Sequence, residues 1–386
     1  MNVLHIINSV DPAGGGPIEG VRQLGRSLTS IGHLVEVVSL DSPDAPYLRD
    51  FPLHVYALGP STMKYAFSNR LIPWLRANHS HYDSVIVNGL WQFHSLAAWR
   101  TLRNSGTPYL LFTHGMLDPW FKKQYPLKHL KKWMYWPWAE YRVLRDAQAV
   151  LFTSEEERLL ARQSFWLYSC KEVVTNYGTA KPTGDPQVEL REFYNRYPEL
   201  RDKKLLLFMG RIHPKKGCDL LIDAFARTLA NDPQWCLVIA GPDQIEWQAK
   251  LRQRAERLGI ASRITWMGMV RGPVKWGALR AAEVFALPSH QENFGIVVAE
   301  ALAAGTPVLI SNKVNIWREI QADGAGIVAE DTLAGTCELL QTYLRTDEEK
   351  RLNMRQSARK CFEERFEIER AAAKLQSILV GISGLN

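Results

Sequence analysis

The chain has 386 residues, of which 46% are hydrophobic and 23% are charged. This length suggests two domains, and this composition is typical of globular proteins with buried cores, so bulk disorder and a small disulfide-stapled module are both excluded. The net charge of +7 is shared almost evenly between the two halves without a basic tail, so it gives a nucleic-acid partner no support. The 5 cysteines show no metal-like spacing, which favours a reduced, cytoplasmic protein.

Short apolar, β-branched runs alternate with helical patterns along the chain, as in parallel sheets built from βαβ units. The predicted strands of the first half are Val3–Asn8, Leu34–Ser39, Ser84–Val87, Tyr109–Thr113, Ala149–Phe152 and Glu172–Thr175. After a polar stretch rich in Pro and Gly the pattern restarts, with predicted strands at Leu205–Met209, Trp235–Ala240, Arg263–Met267, Val284–Leu287 and Val308–Ile310. We therefore expect an α/β protein with two doubly wound sheets. The apolar N-terminus lacks a basic leader and is expected to form the first strand.

A glycine-rich loop, Gly14-Gly15-Gly16, follows the first predicted strand and precedes a helical pattern. Glycines allow the backbone to approach a ligand closely, and a helix N-terminus offers N–H groups to an anion. The loop is not GxGxxG, because Glu19 stands where the third glycine belongs, and no acidic partner follows at the ribose-binding distance. This disfavours a dinucleotide-dependent oxidoreductase, and an ordinary turn is an equal alternative for the loop.

Two cations follow the first predicted strand of the second half. That strand ends at Gly210-Arg211, and after a loop with a proline Lys216-Gly217 opens a helix. Ligands of open α/β sheets bind at the carboxyl edge of the strands. Arg with Lys suits a diphosphate there, because Arg donates in a bidentate fork and Lys supplies a point charge. A solvated loop with ordinary surface cations is the alternative.

The most specific motif is a pair of glutamates with seven residues between them. Glu292-Asn293-Phe294-Gly295 follows a predicted strand, and a helix predicted over Gly295–Ala304 carries Glu300 on an apolar background. The helix N-terminus offers unsatisfied N–H groups to phosphate or sugar oxygens. A buried carboxylate such as Glu300 needs hydrogen bonds, which ligand hydroxyls would supply. A structural pair with a basic residue is the alternative for Glu300.

A single histidine, His114, stands at the end of another predicted strand, next to Gly115. A lone histidine is more often structural than catalytic, and its position at a strand end is what makes it a candidate. Asp118 nearby is a second candidate, and capping of a helix would explain it equally well.

One segment, residues 119–138, combines lysines with aromatic residues and contains no acidic residue; it includes Trp120, Lys122, Lys123, Lys131 and Lys132. Cations beside Trp and Tyr suit the interface of an anionic membrane, and aromatic faces also suit a lipid-pyrophosphate or acidic glycan acceptor. The alternative is a helix that packs its aromatic residues into the first domain and leaves its lysines in water.

Together, the glycine-rich loop, the Gly-Arg…Lys-Gly segment and the Glu-x7-Glu motif resemble the retaining nucleotide-sugar glycosyltransferases of family 4. The resemblance spans nearly the whole chain. It implies the GT-B fold, with two doubly wound Rossmann-like domains facing a central cleft. The implied parts are an acceptor-side domain at 1–178, a donor-binding domain at 179–365 and a C-terminal helix at 366–386 that packs back on the first domain.

The resemblance also implies roles for individual residues. Arg211 and Lys216 would hold the donor diphosphate, Glu300 would accept from the ribose hydroxyls, and Glu292 would contact the transferred sugar as a catalytic-site residue. His114, the other catalytic-site residue, would orient the donor sugar beside its anomeric carbon. The remaining donor contacts would come mainly from the backbone: Gly15, Gly16, Val270 beside the base, Asn293, Phe294, Gly295 and Ile296.

From the resemblance we further expect a UDP-sugar rather than a GDP-sugar donor, no cofactor and no metal, and a saccharide acceptor, lipid-linked and on a polysaccharide or exopolysaccharide pathway. The enzyme would be cytoplasmic and peripheral at the inner face of the membrane. A nucleotide-sugar epimerase of the same fold is one alternative, although it would need further carboxylates around the sugar. A catalytically silent nucleotide-sugar binding protein is another, although the donor-site residues are all present.

Overall fold

The computed structural model describes residues 1–384, which divide into two compact units. The first unit comprises residues 1–180 together with the C-terminal helix from residue 368 onward, and the second unit comprises residues 181–367. Each unit contains one sheet in which every strand pairing is parallel. These two sheets confirm the α/β class with two Rossmann-like sheets.

The first unit has a seven-stranded sheet in the order β3-β2-β1-β4-β5-β6-β7. Its strands are β1 Asn2–Ile7, β2 Leu34–Ser39, β3 His54–Ala57, β4 Ser84–Asn88, β5 Tyr109–Phe112, β6 Ala149–Phe152 and β7 Glu172–Val174. The chain winds outward from β1 to β3 and then returns to the other side of β1 at β4. The topological switch point of this sheet therefore lies between β1 and β4, where open α/β sheets bind ligands.

Eight helices belong to the described part of the first unit: α1 Gly16–Ser30, α2 Leu71–Asn78, α3 Phe93–Leu102, α4 Trp120–Gln124, α5 Pro126–Tyr135, α6 Glu140–Arg145, α7 Glu155–Ala161 and α16 Ile368–Ser383. Helix α1 buries Ile18, Val21, Leu24 and Leu28, which lie on one face at helical spacing. On α1, Gly20 must be a glycine, because a Cβ there would lie 1.1 Å from the Tyr177 hydroxyl oxygen.

The C-terminal helix α16 packs against α1 of the first unit. It buries Ala371, Leu375 and Leu379, and its first residue, Ile368, donates its N–H to the carbonyl of Thr179 at 3.2 Å. The last segment of the chain is thus part of the first unit's core.

The second unit has a six-stranded sheet in the order β10-β9-β8-β11-β12-β13. Its strands are β8 Lys204–Met209, β9 Trp235–Ala240, β10 Ile264–Gly268, β11 Ala282–Leu287, β12 Val308–Ser311 and β13 Gly326–Ala329. Its helices are α8 Pro186–Arg196, α9 Cys218–Thr228, α10 Gln248–Arg257, α11 Gly272–Ala281, α12 Ile296–Ala303, α13 Trp317–Ala322, α14 Leu333–Arg345 and α15 Glu348–Cys361. The switch point of this sheet lies between β8 and β11.

The sequence patterns did not predict two strands, β3 and β13. Both lie at an edge of their sheet, and neither contains a buried residue. Strands buried on both faces produce continuous apolar runs, whereas a short, partly exposed edge strand does not. The pattern therefore predicts the central strands and leaves these two edge strands out.

Among residues 1–384, no helix has both the length and the hydrophobicity needed to cross a membrane.

Candidate functional site

The residues predicted to bind the donor follow strands of the second unit at their carboxyl ends. Because its strands are all parallel, the loops after β8, β9, β10 and β11 share one edge of the sheet. Lys216 lies in the loop after β8 and Glu292 in the loop after β11, so the two flank the switch point. This is the edge where ligands of open α/β sheets bind.

The loop after β8 is shaped by a histidine cap and a left-handed glycine. His213 accepts a hydrogen bond from the N–H of Lys215 at its Nδ1 atom, 3.1 Å away, and so opens the short helix that carries Lys216. Gly217 follows with φ of 70°, and a Cβ there would lie 2.2 Å from the carbonyl oxygen of Pro288. The close approach of the two loops at Gly217 therefore requires a glycine. Arg211 remains exposed at the start of this loop.

Lys216 and Glu292 form an ion pair between these two loops. Their side chains are only 12% and 19% exposed, so this pair is largely removed from water. Burial and the neighbouring charges of Lys215 and Arg211 lower the pKa of Lys216. Contact with the Glu292 carboxylate favours the charged ammonium and opposes that shift.

The Glu292 loop is anchored by backbone hydrogen bonds on both sides. The N–H of Glu292 donates to the carbonyl of Lys313 at 2.9 Å, and its carbonyl accepts from the N–H of Asn315 at 3.0 Å. Gly295, with φ of 74°, is the N-cap residue that precedes α12. The side chain of Phe294 is buried and packs edge-on against Phe366, with ring centroids 5.7 Å apart. Phe294 can therefore reach a ligand through its backbone only.

Glu300 lies on α12 and is 6% exposed. Its Oε1 atom is 2.5 Å from the Nζ atom of Lys275, which lies on α11. Glu300 is thus paired with a basic residue, as the alternative interpretation of Glu300 as a structural residue requires. Both glutamates of the Glu-x7-Glu motif are paired with lysines.

The loops after β9 and β10 complete this edge. The N–H of Gly241 donates to the carbonyl of Gly268 at 2.7 Å, and a Cβ on Gly241 would lie 1.8 Å from the carbonyl oxygen of Gly210. Val270, expected beside the base, is 9% exposed, whereas Met269 is 57% exposed. The sequence does not indicate that position 241 must be a glycine, because the atom that excludes a Cβ there belongs to Gly210, at the end of a neighbouring strand.

In the first unit, the glycine-rich loop follows β1 at the switch point. Gly15 has φ of 85° and no atom lies within 4 Å of the position that a Cβ would take. The left-handed conformation, rather than lack of space, therefore favours glycine here. Gly16 begins α1, and its carbonyl accepts a hydrogen bond from the Tyr177 hydroxyl at 3.3 Å.

His114 follows β5 at the same edge of the first sheet and has φ of 48°. Its Nε2 atom is 3.2 Å from Oδ1 of Asn88, the last residue of β4. The amide nitrogen of Asn88 faces the carbonyls of Ile86 and Ile6, at 3.2 and 3.4 Å, so Oδ1 must be the atom that faces His114. Nε2 of His114 is therefore the protonated nitrogen that donates, and Nδ1 carries the lone pair.

Two further histidines contact Asn88. His94 lies 2.9 Å from the Asn88 carbonyl oxygen through Nε2, and His5 lies 3.2 Å from the Asn88 amide nitrogen through Nδ1. Burial lowers the pKa of His5 and of His94 to about 4, and burial together with the charges that His5 and His94 would carry lowers the pKa of His114 to about 3. All three imidazoles are therefore neutral at pH 7.

Asp118 and the segment 119–138 lie beyond His114. Asp118 is buried, and its Oδ1 accepts from the N–H of Trp120 at 2.8 Å, at the start of α4. The aromatic residues of the segment divide into two groups: Trp136 is fully buried, whereas Trp138 is 72% exposed. The predicted surface residues lie on α4 and α5, with Lys122, Lys123 and Lys131 exposed and Trp120 and Lys132 half-buried.

The structure brings some of the candidate residues together and adds others. In the second unit it brings Lys216 into contact with Glu292, and in the first it places the glycine-rich loop and His114 at one sheet edge. The residues that sequence reasoning missed are Lys275, Asn88, His5, His94 and Gly241. The sequence shows His5 and Asn88 in predicted strands or at their ends, but it does not show that they lie close to His114. Their proximity follows from the strand order β1-β4-β5.

Within the described 1–384 region, no group of three or more His, Cys, Asp or Glu side chains is arranged to hold a metal ion.

Two family models match the chain. Residues 191–361 match the model described as "Glycosyl transferases group 1", and residues 15–175 match the "Glycosyl transferase 4-like domain". The two matches follow one another and correspond to the second and first units.

Curated relatives align with part of the chain. A D-inositol 3-phosphate glycosyltransferase of Geodermatophilus obscurus is 33% identical over 208 residues, which cover 49% of this chain and 45% of that protein. The lipopolysaccharide core biosynthesis mannosyltransferase LpsB of Rhizobium meliloti is 29% identical over 149 residues, 37% of this chain and 42% of that one. The chain thus aligns with less than half the length of either relative.

Solved structures match over the whole chain. Sucrose-phosphate synthase from Thermosynechococcus elongatus has a TM-score of 0.77 at 20% identity and covers 100% of both chains. Anabaena HepE in complex with UDP and glucose has a TM-score of 0.76 at 18% identity and covers 99% of this chain and 100% of that one. At these identities the likeness concerns the fold, and it confirms the predicted GT-B class.

The buried histidines predict how stability depends on pH. Their folded pKa values lie below the unfolded value of about 6.5, so below that pH the unfolded chain binds protons that the folded chain does not, and stability falls as pH falls. Between pH 7 and 5 we expect a loss of about 2 kcal/mol for each of the three. Urea unfolding at pH 7, 6 and 5 measures this loss.

His94→Gln should reduce the pH dependence, because glutamine can still donate to the Asn88 carbonyl but does not titrate. The exposed His81 provides the matched control, His81→Gln, which should unfold with the pH dependence of the wild type. An unchanged pH dependence in His94→Gln would show that His94 binds protons equally in the folded and the unfolded chain, and so that burial does not lower its pKa.

Proposed function

Because the chain belongs to the glycosyl transferases group 1 family, we propose that it is a retaining glycosyltransferase that transfers a sugar from a nucleoside diphosphate to a saccharide acceptor. The observation that carries this proposal is the Lys216–Glu292 pair beside the N-terminus of α12, at the switch point of the second sheet. A buried cation, a carboxylate and unsatisfied helix amides together suit a sugar diphosphate.

The donor would exchange partners with the resting ion pairs. A diphosphate that approaches Lys216 competes with Glu292 for the ammonium, and the carboxylate that it releases becomes an acceptor for sugar hydroxyls. Glu300 is already held by Lys275 on one oxygen atom, 2.5 Å away, and a carboxylate has further lone pairs for the ribose hydroxyls. In each pair the lysine compensates the buried carboxylate for its lost hydration.

Charge stabilisation on the leaving diphosphate would be the main catalytic contribution. When the glycosidic bond to phosphate breaks, negative charge grows on the diphosphate oxygens. Lys216 and Arg211 would supply positive charge, and the N-terminal amides of α12 would supply donors that the helix fixes before the reaction. We propose that this set meets the electrostatic need of the leaving group, so that the reaction requires no metal ion and no cofactor.

His114 would orient the donor sugar rather than act as the base. With its pKa lowered to about 3 by burial, the imidazole is a weak base at pH 7. Its Nε2–H is engaged by Asn88, so Nδ1 is the nitrogen that can accept a hydrogen bond from a sugar hydroxyl. Gly15 and Gly16, at the switch point of the same sheet, would approach the distal phosphate through their backbone amides.

We propose UDP rather than GDP as the nucleotide of the donor. The solved Anabaena HepE complexes contain UDP, UDP and glucose, or UDP-glucose, which supports a UDP-sugar for a chain of the same fold. The loop after β10, with Val270 nearly buried and Met269 exposed, would face the base.

The acceptor is proposed to be a lipid-linked saccharide of a polysaccharide pathway, met at the inner face of an anionic membrane. Three apolar residues at helical spacing on α5 are exposed: Leu127 is 77%, Leu130 56% and Met134 59% exposed. We call these three residues the α5 strip. Lysines flank it, including Lys128 and Lys131. Apolar side chains beside cations suit an anionic lipid surface.

The donor site predicts which variants lose nucleotide binding. Lys216→Met and Glu300→Gln should each weaken UDP binding about tenfold or more, about 1.4 kcal/mol, because each removes a charged hydrogen-bond partner of the ligand. Titration calorimetry measures the dissociation constant, and thermal unfolding checks that each variant is folded. Lys204→Met is the matched control, since Lys204 is exposed at the amino end of the same strand β8. UDP affinity that is unchanged in both variants would refute the site.

The reaction itself is tested with nucleotide sugars in the presence of EDTA. UDP-sugars should raise the unfolding temperature more than GDP-sugars, because a ligand that binds the native state stabilises it. The best of them should be transferred to a saccharide acceptor with the anomeric configuration retained, as read by proton NMR. An isomerised or free sugar would indicate the epimerase, binding without turnover a silent binding protein, and loss of transfer in EDTA a metal requirement.

The membrane proposal is tested by sedimentation with liposomes. The wild type should bind vesicles with anionic lipid more strongly than neutral vesicles, and Leu130→Glu should reduce that binding about tenfold, because it places a negative charge in the α5 strip. Leu352→Glu is the matched control, since Leu352 is also 56% exposed but lies on α15 of the second unit. Equal binding by the two variants would exclude the strip from the contact.

A further inference from the structure

The first unit contains a pocket that the donor site does not use. It lies beside α4 and α5 and is open to solvent on one side. We call it the α5 pocket, and its lining residues are Met116, Asp118, Phe121, Tyr125, Lys128, His129, Lys132, Ser164 and Phe165. Aromatic rings and basic side chains dominate this lining.

Lys132 is the unusual member of the pocket. Its Nζ atom lies 4.4 Å from the ring centroid of Trp91 and 5.5 Å from that of Phe121. Within the described residues, this ammonium has no hydrogen bond and no ion pair. Burial lowers the pKa of Lys132 to about 8, so it is still largely protonated at pH 7. A half-buried cation without an acceptor is unfavourable, since the protein does not replace the water it loses.

A buried carboxylate that acts on Lys132, that of Glu140, does not neutralise it by contact. Glu140 acts on the ammonium electrostatically but forms no ion pair with it. Its Oε1 atom accepts from the N–H of Trp91 at 2.9 Å and from the hydroxyl of Ser95 at 3.0 Å. Burial raises the pKa of Glu140 to about 7, so at that pH it carries only part of a negative charge.

Of the other polar groups of the pocket, Lys128 adds a second positive charge, whereas His129 and Asp118 do not. Lys128 lies with its Nζ atom 4.6 Å from the ring centroid of Tyr125. The ring of His129 stacks on Phe165 at 4.7 Å, and burial together with the charges of Lys122 and Lys132 lowers its pKa. Asp118 is the one acidic residue of the lining, and its Oδ1 is engaged by the N–H of Trp120.

We propose that the α5 pocket binds a phosphate or diphosphate ester, with Lys132 as its principal cation. Phosphate oxygens would supply the acceptors that Lys132 lacks, and Lys128 would add a second charge. The α5 strip lies on the same helix, so the apolar remainder of a lipid-borne ester would have an exposed apolar surface beside its headgroup. The inference rests on the proposed function in one respect: it assigns the acceptor, or the lipid that carries it, to the class of phosphate esters.

Inorganic pyrophosphate is the probe, added after UDP has saturated the donor site. Calorimetry should show a second binding event in the wild type that is about tenfold weaker in Lys132→Met, a variant that keeps the aliphatic stem but loses the charge. Lys64→Met is the control, because Lys64 is exposed elsewhere in the first unit, and it should bind as the wild type does. Lys128→Met should show a smaller loss and serves as the second variant if Lys132→Met unfolds.

Two results would overturn the proposal. The first is a wild type that binds no pyrophosphate once UDP is saturating. The second is folded Lys132→Met and Lys128→Met proteins that both bind pyrophosphate as tightly as the wild type.

Vesicles distinguish the two sources of the phosphate group. If the pocket takes a membrane headgroup, pyrophosphate should release the wild type from anionic vesicles, and Lys132→Met should bind those vesicles about tenfold more weakly. If it takes the phosphate of a separate acceptor, vesicle binding should be equal in wild type and Lys132→Met, while Lys132→Met still binds pyrophosphate about tenfold more weakly.

The measurements also separate this proposal from the proposed function. UDP affinity should be the same in the wild type and Lys132→Met, because the variant lies outside the second unit. A wild type that binds no UDP would refute the donor site, while its response to pyrophosphate alone would still decide the α5 pocket.

Discussion

The candidate donor site depends on one interaction, the contact between a largely buried ammonium and a largely buried carboxylate at the switch point of the second sheet. Lys216 and Glu292 come from loops after adjacent strands, and left-handed glycines let the two loops approach. Such a pair is stable only as a pair, since removal of either charge leaves the other desolvated. In the proposed exchange, the donor diphosphate would compensate Lys216 and the sugar hydroxyls would compensate the released Glu292, so that neither charge is left without a partner.

The candidate site of the first unit uses neutral groups, in contrast to the charged pair of the second unit. Three imidazoles, those of His5, His94 and His114, lie around Asn88, and burial keeps all three neutral. Neutral imidazoles supply fixed donors and acceptors rather than charge, and the amide of Asn88 determines which nitrogen of His114 donates. A sugar carries hydroxyls and no charge, so a neutral, oriented acceptor is the appropriate group for it.

The sequence predicts much of the fold and places the candidate site residues at sheet edges, because parallel strands have a simple signature. Buried strands appear as apolar runs, and the loops after parallel strands must lie at one edge of the sheet, so Arg211, Lys216 and His114 could be selected as candidates from their positions alone. Partners were not predictable in the same way. Lys275 contacts Glu300 because α11 packs near α12, and Asn88 contacts His114 because β4 lies beside β5. Spacing in the sequence predicts neither contact.

Three lysines differ in which groups compensate their ammonium for lost hydration, and this difference is why we expect the α5 pocket to bind an anion. Lys216 and Lys275 each contact a carboxylate, and in both cases the pair compensates for lost hydration. Lys132 has only aromatic faces, at 4.4 and 5.5 Å. A cation–π contact contributes about 0.5–2 kcal/mol, whereas desolvation of an ammonium costs several kcal/mol, so the rings offset only part of the cost. The remainder is what a bound phosphate would recover, and it gives the pocket a reason to prefer the occupied state.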